Sequence, residues 1–413
     1  MTFKILTFGC KVNSYESQAL RERLLKQGYV ESENADIYFV NTCAVTNEAE
    51  RKDLKLVRDL VRDHPSSKVV VLGCSSQIHK EKYLKIEGVS SVLGVNKKIA
   101  SDLDFCLKNK DLVPSNTRKL FFEETPIANG YEKVRAYLKI QDGCNNFCSY
   151  CVVPFTRGNS RSRNKDEILK EAENLLDNGY KELVIGGIDT GSYQDPLDSS
   201  YRLKDLLKDL ISIKGHMFRI RVSSIEESQI DNDYIALFKN NPQRLCPHFH
   251  LPLQSGSEKI LKLMNRKYDL ESFENTILKI RKEIPYVALS CDVITGFPGE
   301  TEEDFQSTYD FLKNNLFMRI HAFPYSERPL TRAISFKDSV PRNIRLKRVR
   351  ILNTLSKENE KQYRERLKGR QAMVLYESRA RDGSFSGYSE NYLQFRKTTD
   401  EDIEGCFIAE TIS

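Results

Sequence analysis

Short apolar runs alternate with helical stripes along the first hundred residues. Lys4–Phe8 reads as a strand, and Ser14–Lys26 sets Leu20, Leu24 and Leu25 at helical spacing. Ile37–Val40 is a second strand, and Glu48–Arg62 carries Leu56, Leu60 and Val61 on one stripe. Val69–Leu72 is β-branched or Leu throughout, as suits a strand covered on both faces. The alternation predicts βαβ units and an open parallel α/β sheet over residues 1–112. A linker is expected at 113–130. Beyond it, strands are predicted at Val134–Ile140, Glu182–Ile185, Arg219–Ser223, His248–Leu251, Ala288–Ile294 and Arg319–Phe323. Helical stretches such as Lys165–Leu176 and Leu270–Lys282 lie between them. Six βα units make an incomplete parallel barrel over 131–365, with its chemistry expected at the C-terminal mouth. The period changes again in 366–413. There Gln371–Tyr376, Ser384–Tyr388, Tyr392–Arg396 and Cys406–Ile412 read as the strands of a small β-barrel. The fold class is therefore α/β with a short all-β end.

Of 413 residues, 39% are hydrophobic and 30% charged, which is a globular composition with material for more than one core. The apolar runs are far too short to cross a bilayer, and the N-terminus has no secretory leader pattern. A membrane protein, a secreted disulfide scaffold, a disordered chain and a collagen are all argued against, and a cytoplasmic location is expected. The net charge of +6 implies no partner by itself. Its distribution says more: Pro341–Arg370 holds eleven Lys or Arg against three Glu. Such a run is either the solvated face of a charged helix or a surface for backbone phosphates.

Ten cysteines in a chain without a leader should be free thiols or metal ligands. Cys10, Cys43 and Cys74 each follow a predicted strand, 33 and 31 residues apart, about one βαβ unit. An open parallel sheet gathers its strand C-termini along one edge, so topology brings the three thiols together. Three ordinary buried cysteines, or thiolate ligation of iron or zinc, would each leave this trace. The sharper signal is Cys144-Asn-Asn-Phe-Cys148-Ser-Tyr-Cys151. Three thiolates within eight residues suit three corners of a cubane iron–sulfur cluster and leave one iron open, whereas the Cys-x2-Cys pairs of zinc loops are absent. Tyr150 can set a ring against an adenine. Cys106, Cys246, Cys291 and Cys406 are scattered and read as core or incidental.

The Cys144–Cys151 spacing, with an aromatic residue before the third cysteine, resembles the radical S-adenosylmethionine enzymes. The resemblance implies that the open iron binds S-adenosylmethionine, whose reductive cleavage yields a 5′-deoxyadenosyl radical. Gly186-Gly187-Ile188, after the second barrel strand, is similar to that family's glycine element beside the methionine moiety. Adding the N-terminal cysteines narrows the resemblance to the methylthiotransferases. Phe8–Glu16, Val40–Cys43, Leu72–Cys74, His250–Ser257, Met264–Tyr268, Asp292–Thr301 and Ala322–Ser326 look like that family's motifs. The family implies two [4Fe-4S] clusters, the second held by Cys10, Cys43 and Cys74 with the sulfur to be inserted on its open iron. It further implies an electron donor and a sulfur donor.

Three branches compete: isopentenyladenosine in tRNA, threonylcarbamoyladenosine in tRNA, and an aspartate of a ribosomal protein. Gly9-Cys-Lys-Val-Asn-Ser-Tyr-Glu-Ser17 resembles the threonylcarbamoyladenosine branch, which acts at C2 of the base beside the anticodon. The last segment is similar to the small five-stranded TRAM barrel, which binds RNA. Arg345, Arg348, Arg370, Arg379, Arg381, Tyr388 and Arg396 are the RNA-contact candidates. In Arg328-Pro-Leu330-Thr331, Leu330 stands where the family usually has Gly, which puts the loop's shape in question. An RNA-binding iron–sulfur sensor without turnover is the non-enzymatic alternative.

Overall fold

A computed structural model describes residues 1–95, 103–122, 126–127 and 134–413. The chain packs as two units. One comprises Met1–Gly130, Lys139–Arg163 and Ser326–Ile334; the other comprises Tyr131–Leu138, Asn164–Tyr325 and Ser335–Ser413. This division cuts across the boundaries expected from periodicity, because two segments assigned there to the barrel pack with the N-terminal sheet. The expected linker at 113–130 falls partly outside the described residues.

The first unit is a six-stranded sheet. Its strands are β1 (Thr2–Thr7), β2 (Val30–Glu31), β3 (Ile37–Thr42), β4 (Lys68–Gly73), β5 (Val89–Leu93) and β6 (Asp111–Leu112), in the order β2-β1-β3-β4-β5-β6. All pairs are parallel. Every residue of β3 is buried, and its first four, Ile37–Val40, form an apolar run that ends in buried Asn41 and Thr42. Phe3, Ile37, Phe39 and Val70 pack with Leu20 and Leu24 on one face. Tyr38, Val40, Val69 and Val71 pack with Val57 and Leu60 on the other. Each such side chain contributes roughly 1.5–3 kcal/mol by leaving water. The helix Asn47–Asp63 starts where Thr46 Oγ1 accepts the Ala49 N–H, with Glu48 and Glu50 in its first turn. Two further short strands, β8 (Gln141–Asp142) and β9 (Arg161–Ser162), pair antiparallel in this unit.

The second unit carries β7 (Arg135–Lys139), β10 (Glu182–Gly186), β11 (Arg219–Val222), β12 (His248–His250), β13 (Ala288–Thr295) and β14 (Arg319–Pro324). They form two triplets, β11-β10-β7 and β12-β13-β14, joined by the parallel bridges Ile220–Leu245 and Ser224–His250. All six predicted barrel strands are present. The C-terminal segment is a four-stranded antiparallel sheet, with β15 (Gln371–Arg379), β16 (Ser384–Tyr388), β17 (Gln394–Thr398) and β18 (Phe407–Thr411) in the order β17-β16-β15-β18.

Glu182 fastens this sheet to the barrel. It is fully buried, accepting Arg219 Nε at 2.6 Å and Arg221 Nε at 2.8 Å, with Arg135 Nη1 at 3.7 Å. Those arginines also donate to C-terminal carbonyls: Arg219 to Met373 and Tyr388, Arg221 to Ser389 and Glu390. Arg135, Glu182 and Arg219 are the first residues of their strands. The C-terminal sheet therefore caps the end of the barrel opposite its mouth, where packing serves the barrel's stability.

Candidate functional site

The register of the first sheet sets the first three thiols. Thr7 pairs with Asn41, and Thr42 with Gly73, so Cys10, Cys43 and Cys74 leave three adjacent strands within one residue of the same row. Cys10 precedes the helix Lys11–Lys26 in extended conformation. Cys74 follows β4 directly and opens the short helix Cys74–Ile78. A methyl group built on Gly9 would lie 3.2 Å from Cys43 Sγ, which shows how closely the first two loops approach. Cys43 and Cys74 are buried and Cys10 is exposed.

Burial pushes the Cys74 thiol up to about 12, the neighbouring Cys10 and Cys43 reinforce the rise, and Arg157 opposes it. Burial raises Cys43 as well, again against Arg157. Asp53 Oδ2 accepts the Cys43 N–H at 2.7 Å, and its Oδ1 has no hydrogen-bond partner among the described residues. Burial pushes this carboxyl up to about 7. Metal binding would have to draw protons from these thiols.

The second thiol set is local. Cys144, Cys148 and Cys151 are each half-buried. The loop is closed by Cys151 N–H to Cys148 O at 2.9 Å and by Asn146 N–H to Cys144 Sγ at 3.4 Å. Cys144 N–H donates to Gly158 O at 3.1 Å. Gly158 has φ +76°, and a Cβ there would meet Thr117 O at 2.0 Å, so only glycine fits. Phe147 takes φ +48° and meets Phe155 edge-on, while Arg118 lies over its ring. Tyr150 is half-buried in the same loop. Among the described residues no three His, Cys, Asp or Glu side chains form a site for a single ion. A cubane asks for something else, one thiolate for each of three irons, and both thiol sets match that donor chemistry.

Two segments of the first unit bond to residues that flank both sets. The short helix Val153–Thr156 and Arg157 follow the second set, and Arg157 reaches back to Asn13, Glu16 and Asp142. The segment Ser326–Ile334 runs from Asn47, whose N–H donates to Ser326 Oγ, to Ser149, whose carbonyl accepts the Ala333 N–H at 2.8 Å. Arg328 anchors it on Glu50 at 2.8 Å and Asn47 at 2.6 Å. Burial alone would raise Glu50, but His79, Lys82 and Arg328 outweigh it and hold the carboxyl well below the usual range. Leu330 answers the question its sequence position raised. It keeps the left-handed conformation, φ +67°, with its side chain 61% exposed at a cavity of about 520 Å³ lined also by His79, Lys80 and Phe155.

In the second unit, Gly186 ends β10, followed by Gly187 and Ile188. A Cβ at Gly186 would lie 2.3 Å from Ser223 Oγ and 2.7 Å from the Tyr137 hydroxyl. Gly187 N–H donates to Thr190 Oγ1 at 3.1 Å. His250 and Asp292, on adjacent strands, pair at 3.1 Å, with the His321 ring 5.6 Å from that of His250. The sequence displayed these residues but not their pairing.

The RNA candidates divide by burial. Arg345 is 6% exposed and donates to the carbonyls of Val340 and Tyr325 and to Ser339 Oγ. Arg348 is 4% exposed and pairs with Glu300 and Glu302. With Leu352, Leu355, Asn359 and Tyr363 they form the inward stripe of the helix Arg342–Arg366. Arg342, Lys347, Arg350, Lys357 and Lys361 lie on its exposed side. Arg370, Arg379, Arg381 and Arg396 are exposed; Tyr388 is half-buried between Arg135 and Tyr392.

Comparison with known proteins covers most of the chain. The Radical SAM superfamily matches residues 138–312, and Uncharacterized protein family UPF0004 matches residues 2–94. The threonylcarbamoyladenosine tRNA methylthiotransferase MtaB of Bacillus subtilis is 37% identical over 411 residues, 97% of this chain and 91% of its own length. The protein of that name from Thermotoga maritima is 37% identical over 95% of this chain and 90% of its own. Among solved structures, the radical S-adenosylmethionine methyltransferase TsrM of Kitasatospora setae, with cobalamin and a [4Fe-4S] cluster bound, superposes with a TM-score of 0.59. It covers 80% of this chain and 76% of its own at 14% identity, a likeness of fold alone.

Proposed function

The chain belongs to the radical S-adenosylmethionine methylthiotransferases, and from that premise we propose that it methylthiolates C2 of N6-threonylcarbamoyladenosine beside the anticodon of tRNA. The observation that carries the reading is the presence, in one chain of this ancestry, of two separate three-thiol sets.

Cys144, Cys148 and Cys151 would hold one [4Fe-4S] cluster, which supplies the electron for cleavage of S-adenosylmethionine. Cys10, Cys43 and Cys74 would hold the second, the place for the transferred sulfur. The roles of this chain's other residues follow from their chemistry. Gly186, kept small by Ser223 and Tyr137, would with Gly187 and Ile188 lie beside the methionine portion of S-adenosylmethionine. The Tyr150 ring suits its adenine. Exposed Arg342, Lys347 and Arg350 on the long helix offer phosphate contacts, and Arg370, Arg379, Arg381 and Arg396 offer more on and beside the C-terminal sheet. Buried Arg345 and Arg348 instead shape that helix from within. An electron donor and a sulfur donor complete the set of partners. A cytoplasmic site of action suits a tRNA substrate, and no helix among the described residues is long and apolar enough to cross a membrane.

Mass spectrometry of tRNA nucleosides from cells with and without this protein tests the reading. The 2-methylthio derivative of threonylcarbamoyladenosine should disappear when the protein is removed. Loss of the isopentenyladenosine derivative instead would overturn the substrate, and loss of neither would overturn tRNA modification.

A further inference from the structure

The first unit contains an ionic network that nothing in the proposed chemistry requires. Lys139 and Arg157 are 0% and 1% exposed. Lys139 Nζ donates to Glu16 Oε1 at 2.7 Å and Asp142 Oδ2 at 2.8 Å. Arg157 Nη1 donates to the same Glu16 oxygen at 2.9 Å and to Asp142 Oδ1 at 3.1 Å; its Nη2 reaches Glu16 Oε2 at 3.2 Å. Arg161 adds a bond to Asp142 Oδ2 at 3.0 Å. Among the described residues, three cations thus face two carboxylates. Buried ion networks are poor sources of stability, because desolvation consumes most of the Coulombic gain. A network kept at this depth therefore calls for another reason.

Its position supplies one. Arg157 Nη2 also donates to Asn13 Oδ1 at 2.7 Å. The amide of Asn13 donates in turn to Phe8 O at 2.8 Å and Thr42 O at 3.1 Å. Those carbonyls belong to the two strand ends that deliver Cys10 and Cys43. One guanidinium thus fixes the side chain that spans both loops. It is also adjacent to Gly158, whose carbonyl takes the Cys144 N–H, so the same short segment serves both thiol sets. A Cβ built on Gly9 would meet both the Asn13 amide nitrogen, at 2.9 Å, and Cys43 Sγ, at 3.2 Å, so the guanidinium stands one side chain away from the first thiol set.

We propose that Arg157 is a positioning residue for the Cys10, Cys43 and Cys74 centre. Its guanidinium holds the Cys10 and Cys43 loops through Asn13, and the fixed positive charge of that guanidinium favours the centre's more negative states. The inference rests on the reading that this set holds an iron–sulfur cluster. Reduction would add one electron to the cluster as a whole, with no bond made or broken at the residues that hold it, so a fixed cation in a low-dielectric interior would raise the midpoint potential. It favours a bound sulfide anion for the same reason.

The test uses protein in which Cys144, Cys148 and Cys151 are replaced by Ala, leaving the first set alone, reconstituted anaerobically with iron and sulfide. A mediated redox titration followed by electron paramagnetic resonance reads the midpoint. Arg157→Gln should lower the reduced-to-oxidised ratio at fixed potential at least tenfold, equivalent to about 59 mV for one electron. Arg157→Lys, which keeps the charge, should restore most of that ratio. Glu16→Gln, which removes a negative charge, should shift the midpoint upward, and it decides the matter if Arg157→Gln fails to fold. An unmoved or lowered midpoint in Glu16→Gln, or an unmoved one in a cluster-bearing Arg157→Gln, overturns the proposal alone. A parent protein that binds no iron overturns the two-centre reading and the proposal with it.

Discussion

The two thiol sets of the first unit are built in opposite ways. Cys144, Cys148 and Cys151 lie within eight residues of one loop, and backbone bonds inside that loop, with Gly158 behind it, set their shape. Cys10, Cys43 and Cys74 span 65 residues and meet only because three parallel strands end in register. The local set is half open to solvent; the assembled set keeps two of its three thiols buried. A local loop can present an open iron to a small cofactor with few supports. A site assembled by topology depends on the sheet, on Asn13 and on Arg157, and its surroundings can hold charge.

The largest expected effect separates the sets by role. Replacing Cys144, Cys148 and Cys151 by Ala should abolish conversion of S-adenosylmethionine to 5′-deoxyadenosine, measured by chromatography. Replacing Cys10, Cys43 and Cys74 should leave that conversion and abolish methylthio product. The reverse pattern would invert the assignment.

The next effect tests whether damage in the other unit leaves both sets intact. Glu182→Gln leaves three arginines around a neutral amide and should cost about 3–5 kcal/mol in denaturant unfolding, with iron content unchanged. Burial pushes the Glu182 carboxyl up, but Arg221, Arg219 and Arg135 outweigh it and hold it well below the usual range. Its folded pKa is depressed, so its contribution is present above the unfolded value of about 4.3 and is lost as pH falls further. The difference between wild type and variant should therefore shrink below about pH 4. A difference that grows on acidification would contradict this.

Gly158→Ala should strike the local set harder than the assembled one. The new methyl group meets Thr117 O, an overpacking cost of about 1–3 kcal/mol. Iron at Cys144–Cys151 should fall more than iron at the first set; a loss confined to the first set would contradict this.

The smallest effect concerns Leu330. Its left-handed backbone costs roughly 1–2 kcal/mol, against roughly 0.5–1 kcal/mol of chain entropy for glycine. Leu330→Gly should raise stability by about 0.5–1 kcal/mol, seen as a higher Tm. A lower Tm would mean that the exposed side chain is held by contacts worth more than the strain.

This contrast also explains what the sequence made legible. All six barrel strands follow from apolar runs, and the local thiol set follows from spacing, because both are short-range features. The first thiol set was readable through topology, since strand ends in a parallel sheet share an edge. Strands β2, β5 and β6 were not anticipated: two have only two residues, and β5 breaks its apolar run with Ser90 and Ser91. The ionic network was hidden, although Lys139 within the apolar run Ala136–Ile140 was a visible clue, since a charge in a covered strand needs a partner. Composition marked Arg345 and Arg348 as exposed cations. Their partners, Glu300 for Arg348 and the Tyr325 carbonyl for Arg345, come from distant segments, and only the tertiary structure turns them inward.

The central claim is that one chain holds two separate iron–sulfur centres on these six cysteines. Iron and acid-labile sulfide should be counted in anaerobically reconstituted wild type and in each triple Cys→Ala variant. Each folded variant should retain about half of the wild-type iron and sulfide. A folded variant that loses all of its iron, or none, would contradict the claim.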